Sequence, residues 1–256
     1  MTDSRVSLTV IVITFNERAM IRRCLESVSW ADEIVVVDSG STDGTAAICR
    51  EYTAHVIETD WPGFGPQKNR ALGHATGEWV LSLDADEFLT EEAQAEIRDT
   101  VRSRPSVDAF RIPRLSSYCG RYMRHGGWYP DYVVRLFRQG RARFSDDLVH
   151  ERLLVSGTIG TLQTPLRHET YRDLEEVLHK IDAYSSAGAA MAVAAGKWGG
   201  LAPALRHGAW AFIRTYLLRL GLLDGAEGLM LAISNAETAY YKYLKMAQLN
   251  KGPGRS

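Results

Sequence analysis

Three β-branched apolar runs, SLTVIVITF (residues 7–15), EIVVVDSG (33–40) and EWVLSLDAD (78–86), each end in polar residues and each lead into a helix signal. Continuous apolar runs without alternation suit strands buried on both faces, as in a parallel sheet. Between them, Asn16 can cap a helix over about Glu17–Ser29. Asp43 or Thr42 can cap a second helix reaching about Tyr52. AHVIETD (54–60) reads as a weaker strand, and GPQKNRALGHA opens a helix after Gly63, Gly65 and Pro66. A further helix follows Thr90, with Glu91 and Glu92 in its first turn. Such strand–helix alternation specifies a mostly parallel sheet with helices on both faces, an α/β class in which ligands sit beyond the carboxyl ends of the strands.

The pattern changes after Val107. DAFRIPRL, YVVRLFRQG, ARFS and ERLLVSG are short strand signals with glycine-rich joints, which predict a mixed or antiparallel extension. Beyond His168 three helices are expected, over Asp173–Ala195, Pro203–Leu223 and Ala226–Gln248. The tail NKGPGRS is expected to fray. The division that follows is residues 1–170 as one domain with halves 1–102 and 103–170, a helical region over 171–250, and the tail 251–256.

Composition excludes several classes. A formal charge of −1 and a hydrophobic fraction of 45% in 256 residues describe a globular chain, neither disordered nor built to bind nucleic acid. The odd, widely spaced Cys24, Cys49 and Cys119 match neither a zinc site nor a disulfide framework, and suit a reducing compartment. The N-terminus reads as a first strand and not a signal peptide. The longest apolar window, AWAFIRTYLLRLGLL, is interrupted by Arg214 and Arg219, so no transmembrane helix is expected. From Arg102 to Arg152 there are eleven arginines, no lysine and five acids. Arginine pairs with phosphate and carboxylate in a bidentate way that lysine cannot, although a solvated β surface accounts for most of these residues equally well.

The polar residues fall where a parallel sheet places ligands: Thr14, Asn16 and Glu17 after the first strand, Asp38 after the second, Asp84 and Asp86 after the fourth. Asp84 and Asp86 are two apart and point to one side of a strand, so they can present carboxylates to a hard divalent cation. Acids at a strand end are also ordinary, and this spacing alone is weak. The loop after Asp38 combines glycine and small hydroxyl residues, which brings backbone N–H groups near anions. Trp128 and Tyr129, after Gly126–Gly127, suit either a sugar-stacking platform or a core. In the second of the three helices expected beyond His168, Trp210, Ile213, Leu217 and Leu220 share one face, with Arg206, His207 and Arg214 on another. Core packing and a membrane-surface role both account for it.

Taken together, Thr14-Phe15-Asn16-Glu17, Asp38 through Thr45, Lys68-Asn69-Arg70-Ala71 and Asp84-Ala85-Asp86-Glu87 resemble, in order and spacing, the family 2 glycosyltransferases of GT-A fold. The segment GGWYPDYVVRLFRQGRARFSDDLVHERL, with HETYRD and the helical tail, resembles more narrowly the WaaE-like branch of bacterial lipopolysaccharide-core β-glucosyltransferases. That resemblance implies inverting transfer of a sugar, glucose first, from a UDP-sugar donor to a saccharide or lipid-linked saccharide acceptor of the envelope. It makes 1–170 the GT-A catalytic domain, with a nucleotide-binding half and an acceptor half, and 171–250 a membrane-surface or acceptor-side element. It implies that Thr14, Asn16, Glu17, Asp38 and Asn69 cradle uridine, that Asp84 supports the ribose, and that Arg135 and Arg138 contact the diphosphate. Asp86 and His168 become the ligands of Mg²⁺ or Mn²⁺, Glu151 the catalytic base, and Trp128, Tyr129 and His150 acceptor contacts. Glu87 is read as part of the start of the next helix. Many family members carry Glu-Asp where this chain has His150-Glu151. The implied location is the cytoplasm, with peripheral association at the anionic inner face of the membrane. Two other readings stand beside this one: a polyprenyl-phosphate sugar transferase, whose acceptor needs no strong base, and a non-catalytic nucleotide-sugar-binding module.

Overall fold

The computed structural model describes residues 6–146 and 152–251. The chain forms two compact units, Met1–Arg114 with Asp131–His168, and Leu115–Pro130 with Glu169–Ser256. The elements run β1 (Leu8–Thr14), α1 (Ile21–Glu26), β2 (Glu33–Asp38), α2 (Thr45–Cys49), β3 (Val56–Glu58), α3 (Phe64–His74), β4 (Trp79–Asp84), β5 (Glu87–Phe88) and α4 (Glu91–Arg102). They continue with β6 (Ala109–Tyr118), β7 (Arg121–Tyr122), β8 (Asp131–Arg138), β9 (Ala142–Phe144), β10 (Leu153–Val155), β11 (Ile159–Thr161) and β12 (Leu166–Tyr171). Three long helices follow, α5 (Leu174–Ala194), α6 (Leu201–Ile213) and α7 (Gly225–Lys251).

The main sheet has the order β3-β2-β1-β4-β8-β6-β12-β5. The four strands β3, β2, β1 and β4 are parallel, and β8, antiparallel to β4 and β6, begins the mixed extension. All seven residues of β1 are buried, as the continuous apolar run requires. One face packs Val10, Val12, Val36, Leu81 and Leu83 against Ile21, Leu25 and Ile97 of α1 and α4. The other packs Ile11, Ile13, Val35 and Val37 against Ala71 of α3 and Phe137 of β8. The register sets Thr14 opposite Asp38 and Ile13 opposite Asp84, which brings three polar strand ends to one edge.

Several local expectations change. Asn16 does not cap a helix over residues 17–29, because the helix starts only at Ile21. Asn16 instead adopts a left-handed φ of 54° and its Oδ1 accepts from the Thr42 N–H at 2.9 Å, tying the first loop to the second. The helix after Asp43 is a short one, ending at Cys49. Thr90 and Asp173 do cap their helices, accepting from the N–H groups of Ala93 and Glu176. The strand β12 was not foreseen, because LRHETY lacks an alternating apolar pattern; it forms through pairing with β6 and β5.

The second unit has its own core, in which Tyr118, Met123, Val177, Ile181 and Leu231 pack with Trp128 and Tyr171. Small residues allow close approach to α7: a Cβ at Gly199, in the loop before α6, would fall 2.2 Å from the Tyr243 carbonyl oxygen, and one at Gly208 of α6 would fall 3.3 Å from the Ala236 carbonyl oxygen. The helix expected over Pro203–Leu223 ends early. After Ile213 the chain forms a π-helical turn, Arg214–Leu218, and Leu220 turns left-handed at φ 56° before a 3₁₀ turn, Gly221–Asp224. Asp224, buried, accepts from the N–H groups of Arg124 and His125 and faces His125 Nδ1 at 3.0 Å. No helix among the described residues is long and apolar enough to cross a membrane.

At the other end of the parallel strands the Thr9 hydroxyl donates to Glu33 at 2.5 Å and accepts from the Gly77 N–H at 2.8 Å. A Cβ at Gly77 would sit 2.7 Å from the Thr9 nitrogen. Gly77→Ala is therefore expected to cost about 1–3 kcal/mol, as overpacking does, read as a lower urea midpoint at unchanged slope. An unchanged midpoint would show that β1 and β4 can separate there without penalty.

Candidate functional site

At the carboxyl edge of the parallel strands lies a cavity of about 630 Å³ lined by Ile13, Thr14, Phe15, Glu17, Ser39, Trp61, Phe64, Asp84, Ala85, Asp86 and His168. The clusters read from sequence converge here because β1, β2 and β4 are in register. Thr14 is 4% exposed, and its Oγ1 has no hydrogen-bond partner among the described residues. A buried hydroxyl without a partner carries a desolvation penalty, and this one belongs to a residue of the cavity wall.

The three carboxylates of DADE separate sharply. Asp84 Oδ1 lies 2.8 Å from Lys68 Nζ, and its Oδ2 accepts from Arg135 Nη2 at 2.5 Å. Burial works to raise the Asp84 pKa, but the charges of Arg135 and Lys68 and their hydrogen bonds outweigh it and hold the carboxyl well below the usual carboxylate range. Burial likewise opposes the charge on Arg135, and Asp84 and Glu87 more than restore it. Glu87 is fully buried. It does not serve the start of α4: its Oε1 accepts from Arg135 at 2.5 Å and lies 3.5 Å from Arg114 Nη1. Its Oε2 accepts from the Asp84 N–H at 3.1 Å. A carboxylate this deep persists only with cations beside it.

Asp86 is arranged differently. Its Oδ2 faces His168 Nε2 at 3.3 Å, with the two side chains 31% and 14% exposed. Burial tends to lower the His168 pKa, yet the hydrogen bond and charge of Asp86, with Glu87 behind it, raise it overall against the opposing charge of Arg114. An imidazole nitrogen and a carboxylate oxygen side by side at the cavity wall form a donor set that suits a divalent cation, held in place of the imidazolium proton. No group of three or more His, Cys, Asp or Glu side chains suited to a metal occurs among the described residues. Asp86 and His168 are the pair at this cavity that could hold a cation.

Other expected site residues have different places. Asp38, buried, accepts from the N–H groups of Gly40 and Ser41 and from the Ser41 hydroxyl, so it shapes the loop beside the cavity. Asn69 exchanges two 2.9 Å hydrogen bonds with the backbone of Phe144 and pins β9 to α3. Arg135 is buried between Asp84 and Glu87, where no diphosphate reaches its bound Nη2. Arg138 stands at the opposite end of β4 from the cavity, in register with Trp79. It lies over that indole and bonds Glu78 and the Pro105 carbonyl. Trp128 packs against Tyr118 and Tyr171 with ring centroids 5.8 and 5.9 Å away. Glu151 and His150 lie outside the described residues.

Sequence reasoning missed the half-exposed Trp61 and Phe64, an edge-to-face pair with centroids 4.8 Å apart on the cavity wall. Their signal was available: two aromatics around Pro62–Gly63, just after the third parallel strand. It also assigned no role to Lys68, whose burial in a helix only a partner such as Asp84 explains.

The electrostatics of Asp84 give a pH test. Its folded pKa is depressed, so its contribution is complete above the unfolded value near 3.9 and is lost as the pH falls from there towards the folded pKa. Asp84→Asn is expected to cost about 3 kcal/mol at pH 7, the low end for breaking a buried pair because the side chain is partly exposed. Urea unfolding at pH 7 and pH 3 should show that deficit shrinking at the lower pH.

Comparison with known proteins agrees with this architecture. The family model for glycosyl transferase family 2 matches residues 9–154. The lipopolysaccharide core biosynthesis glycosyltransferase LpsC of Rhizobium meliloti (strain 1021) is 29% identical over 269 aligned positions, covering 96% of each chain. Among solved structures, S. aureus TarS 1–349 in complex with UDP-GlcNAc superposes with a TM-score of 0.51 at 16% identity, over 96% of this chain and 92% of TarS 1–349. The mannosyltransferase PcManGT from Pyrobaculum calidifontis, in complex with GDP-Man and Mn²⁺, gives 0.51 at 20% identity, over 98% of this chain and 76% of its own. The chain has the GT-A fold, is a glycosyltransferase, and belongs to glycosyl transferase family 2.

Proposed function

We propose that this enzyme transfers a sugar, glucose first, from a UDP-sugar to a lipopolysaccharide core or related envelope saccharide, with inversion at the anomeric carbon. One observation carries the reading: an unpartnered Thr14 hydroxyl, the Trp61–Phe64 pair and the Asp86–His168 pair line the same cavity. That cavity offers a polar contact and flat apolar faces for a nucleotide, and cation ligands for its diphosphate. The full-length similarity to a lipopolysaccharide core glycosyltransferase supports the acceptor class, and the fold shared with a UDP-GlcNAc complex is compatible with the donor.

In the proposed reaction residues 1–102 bind the nucleotide and 103–170 supply the acceptor side. Glu151, placed by the resemblance, takes the proton of the acceptor hydroxyl. The oxygen's electron pair forms the bond to the anomeric carbon from the face opposite the diphosphate. The bond to the diphosphate oxygen breaks with its electron pair leaving on UDP. A bound Mg²⁺ or Mn²⁺ supplies electrostatic stabilisation of that leaving group. Asp86 and His168 would hold it, while Lys68 and Arg135 keep Asp84 ionised and fixed beside them. Tyr129 and His150 are the proposed acceptor contacts.

A panel of nucleotide sugars, assayed for released nucleotide with Mn²⁺ and with chelator, tests the reading. UDP release from UDP-glucose, abolished by chelator and by Glu151→Gln, is the expected result. Release of GDP from GDP-mannose alone, or activity indifferent to chelator, would overturn the donor or the metal assignment respectively.

The second unit supports a location at a membrane surface. From Lys197 to Leu223 there is no acidic residue, and Lys197, Arg206, Arg214 and Arg219 are exposed alongside Leu201, Leu205, Trp210 and Leu218. Apolar and cationic side chains together fit an anionic lipid surface. The protein is expected to co-sediment with phosphatidylglycerol-containing vesicles and not with pure phosphatidylcholine ones. Recovery in the supernatant with both would remove the membrane role.

A further inference from the structure

We infer that Glu87 is a positioning residue for the cation site, holding Asp86 and His168 at their mutual distance although its own carboxylate never reaches the cavity. The inference rests on the reading that Asp86 and His168 hold a divalent cation.

Glu87 touches both halves of that pair through different atoms. Asp86 precedes it in the chain, in the tight turn that leaves β4, and the Glu87 Oε2 closes this turn by accepting from the Asp84 N–H at 3.1 Å. His168 is its antiparallel partner across β5 and β12, so the Glu87 backbone fixes the height of the imidazole. The Glu87 side chain is anchored from behind by Arg135 at 2.5 Å, with Arg114 at 3.5 Å. The buried carboxylate thereby ties the turn that carries Asp86 to Arg135 of β8 and Arg114 of β6, while the Glu87 backbone joins that turn to the strand that carries His168. Buried Phe88 and Leu89 seat β5 in the core, while the Glu87 carboxylate holds the turn before it, where Asp86 Oδ2 lies 3.3 Å from His168 Nε2. A divalent cation tolerates little change in its ligand separation, which makes cation affinity the property most exposed to a loosened turn.

Glu87→Gln retains the shape and one acceptor oxygen, but sets an amide NH₂ or a neutral carbonyl against Arg135. The probe is Mn²⁺ in the presence of UDP, followed by the electron paramagnetic resonance of free Mn²⁺, with UDP binding in chelator measured alongside. Glu87→Gln is expected to weaken Mn²⁺ at least tenfold while metal-free UDP affinity stays within twofold. Glu87→Asp, a carboxylate one methylene short, should recover part of the loss. If Glu87→Gln does not fold, as judged by thermal melting, Arg114→Gln decides, because it removes the second anchor from a partly exposed position. Its expected Mn²⁺ affinity is several-fold weaker. Wild-type Mn²⁺ affinity in a folded Glu87→Gln, or in Arg114→Gln where the first is unfolded, overturns the inference. Failure of the wild type itself to bind Mn²⁺ with UDP would instead overturn the cation reading beneath it.

Discussion

A carboxylate at the end of a buried strand is costly unless cations neutralise it, and here Asp84 has two: Lys68 from α3 and Arg135 from β8. Much at the carboxyl edge of the sheet depends on this arrangement. It pins α3 on one side and the antiparallel β8 on the other to the end of β4, at the point where the parallel sheet gives way to the mixed extension. Arg135 passes the charge on to Glu87, and Arg114 joins Glu87 to Asp131. Asp84, Glu87 and Asp131 thus share Lys68, Arg114 and Arg135 at the strand end. Pairing within the network falls mainly on Asp84 and Glu87, which leaves Asp86 beside His168. Buried ion pairs add little net stability; this one specifies geometry.

The division of labour inside DADE separates what charge alone would merge. Asp84 and Glu87 have strong cationic partners, and Asp86, which lines the cavity together with Asp84, faces His168. In the proposed reaction the protein's own cations are spent on holding the site's shape, so stabilisation of a departing diphosphate falls to the cation that Asp86 and His168 would carry. The second unit relies on different physics. Tyr118, Trp128 and Tyr171 form an aromatic core, glycine and alanine allow the helices to approach closely, and an apolar, acid-free segment remains exposed.

Much of this was legible in the sequence, and the reasons for the exceptions are physical. The parallel strands were readable because burial on both faces leaves an uninterrupted β-branched run, and their polar ends located the edge where the site forms. The cap at Thr90 follows from local chemistry. Asn16 was misread because its partner, Thr42, lies on another loop, and the same side chain that caps a helix can tie two loops together. Arg138 was grouped with Arg135 by proximity in sequence, yet three residues along a strand carry it towards the far end of the sheet. Glu87 and Lys68 are buried charges, and pattern reading assigns charges to the surface; only the tertiary pairing reveals why they are inside. The break after Ile213 depends on a π-helical turn and a left-handed leucine, neither of which has a compositional signal.

In the reaction proposed above, one edge of the sheet binds a nucleoside diphosphate with a cation on Asp86 and His168 while Asp84 stays with its cations. A crystal structure with UDP and Mn²⁺ tests it most directly. The predicted result is UDP in the cavity beside Thr14, the metal bound by the Asp86 carboxylate and the His168 imidazole, and Lys68 and Arg135 still paired with Asp84. A metal bound by Asp84 with Lys68 and Arg135 displaced, or UDP bound away from Thr14, would contradict it.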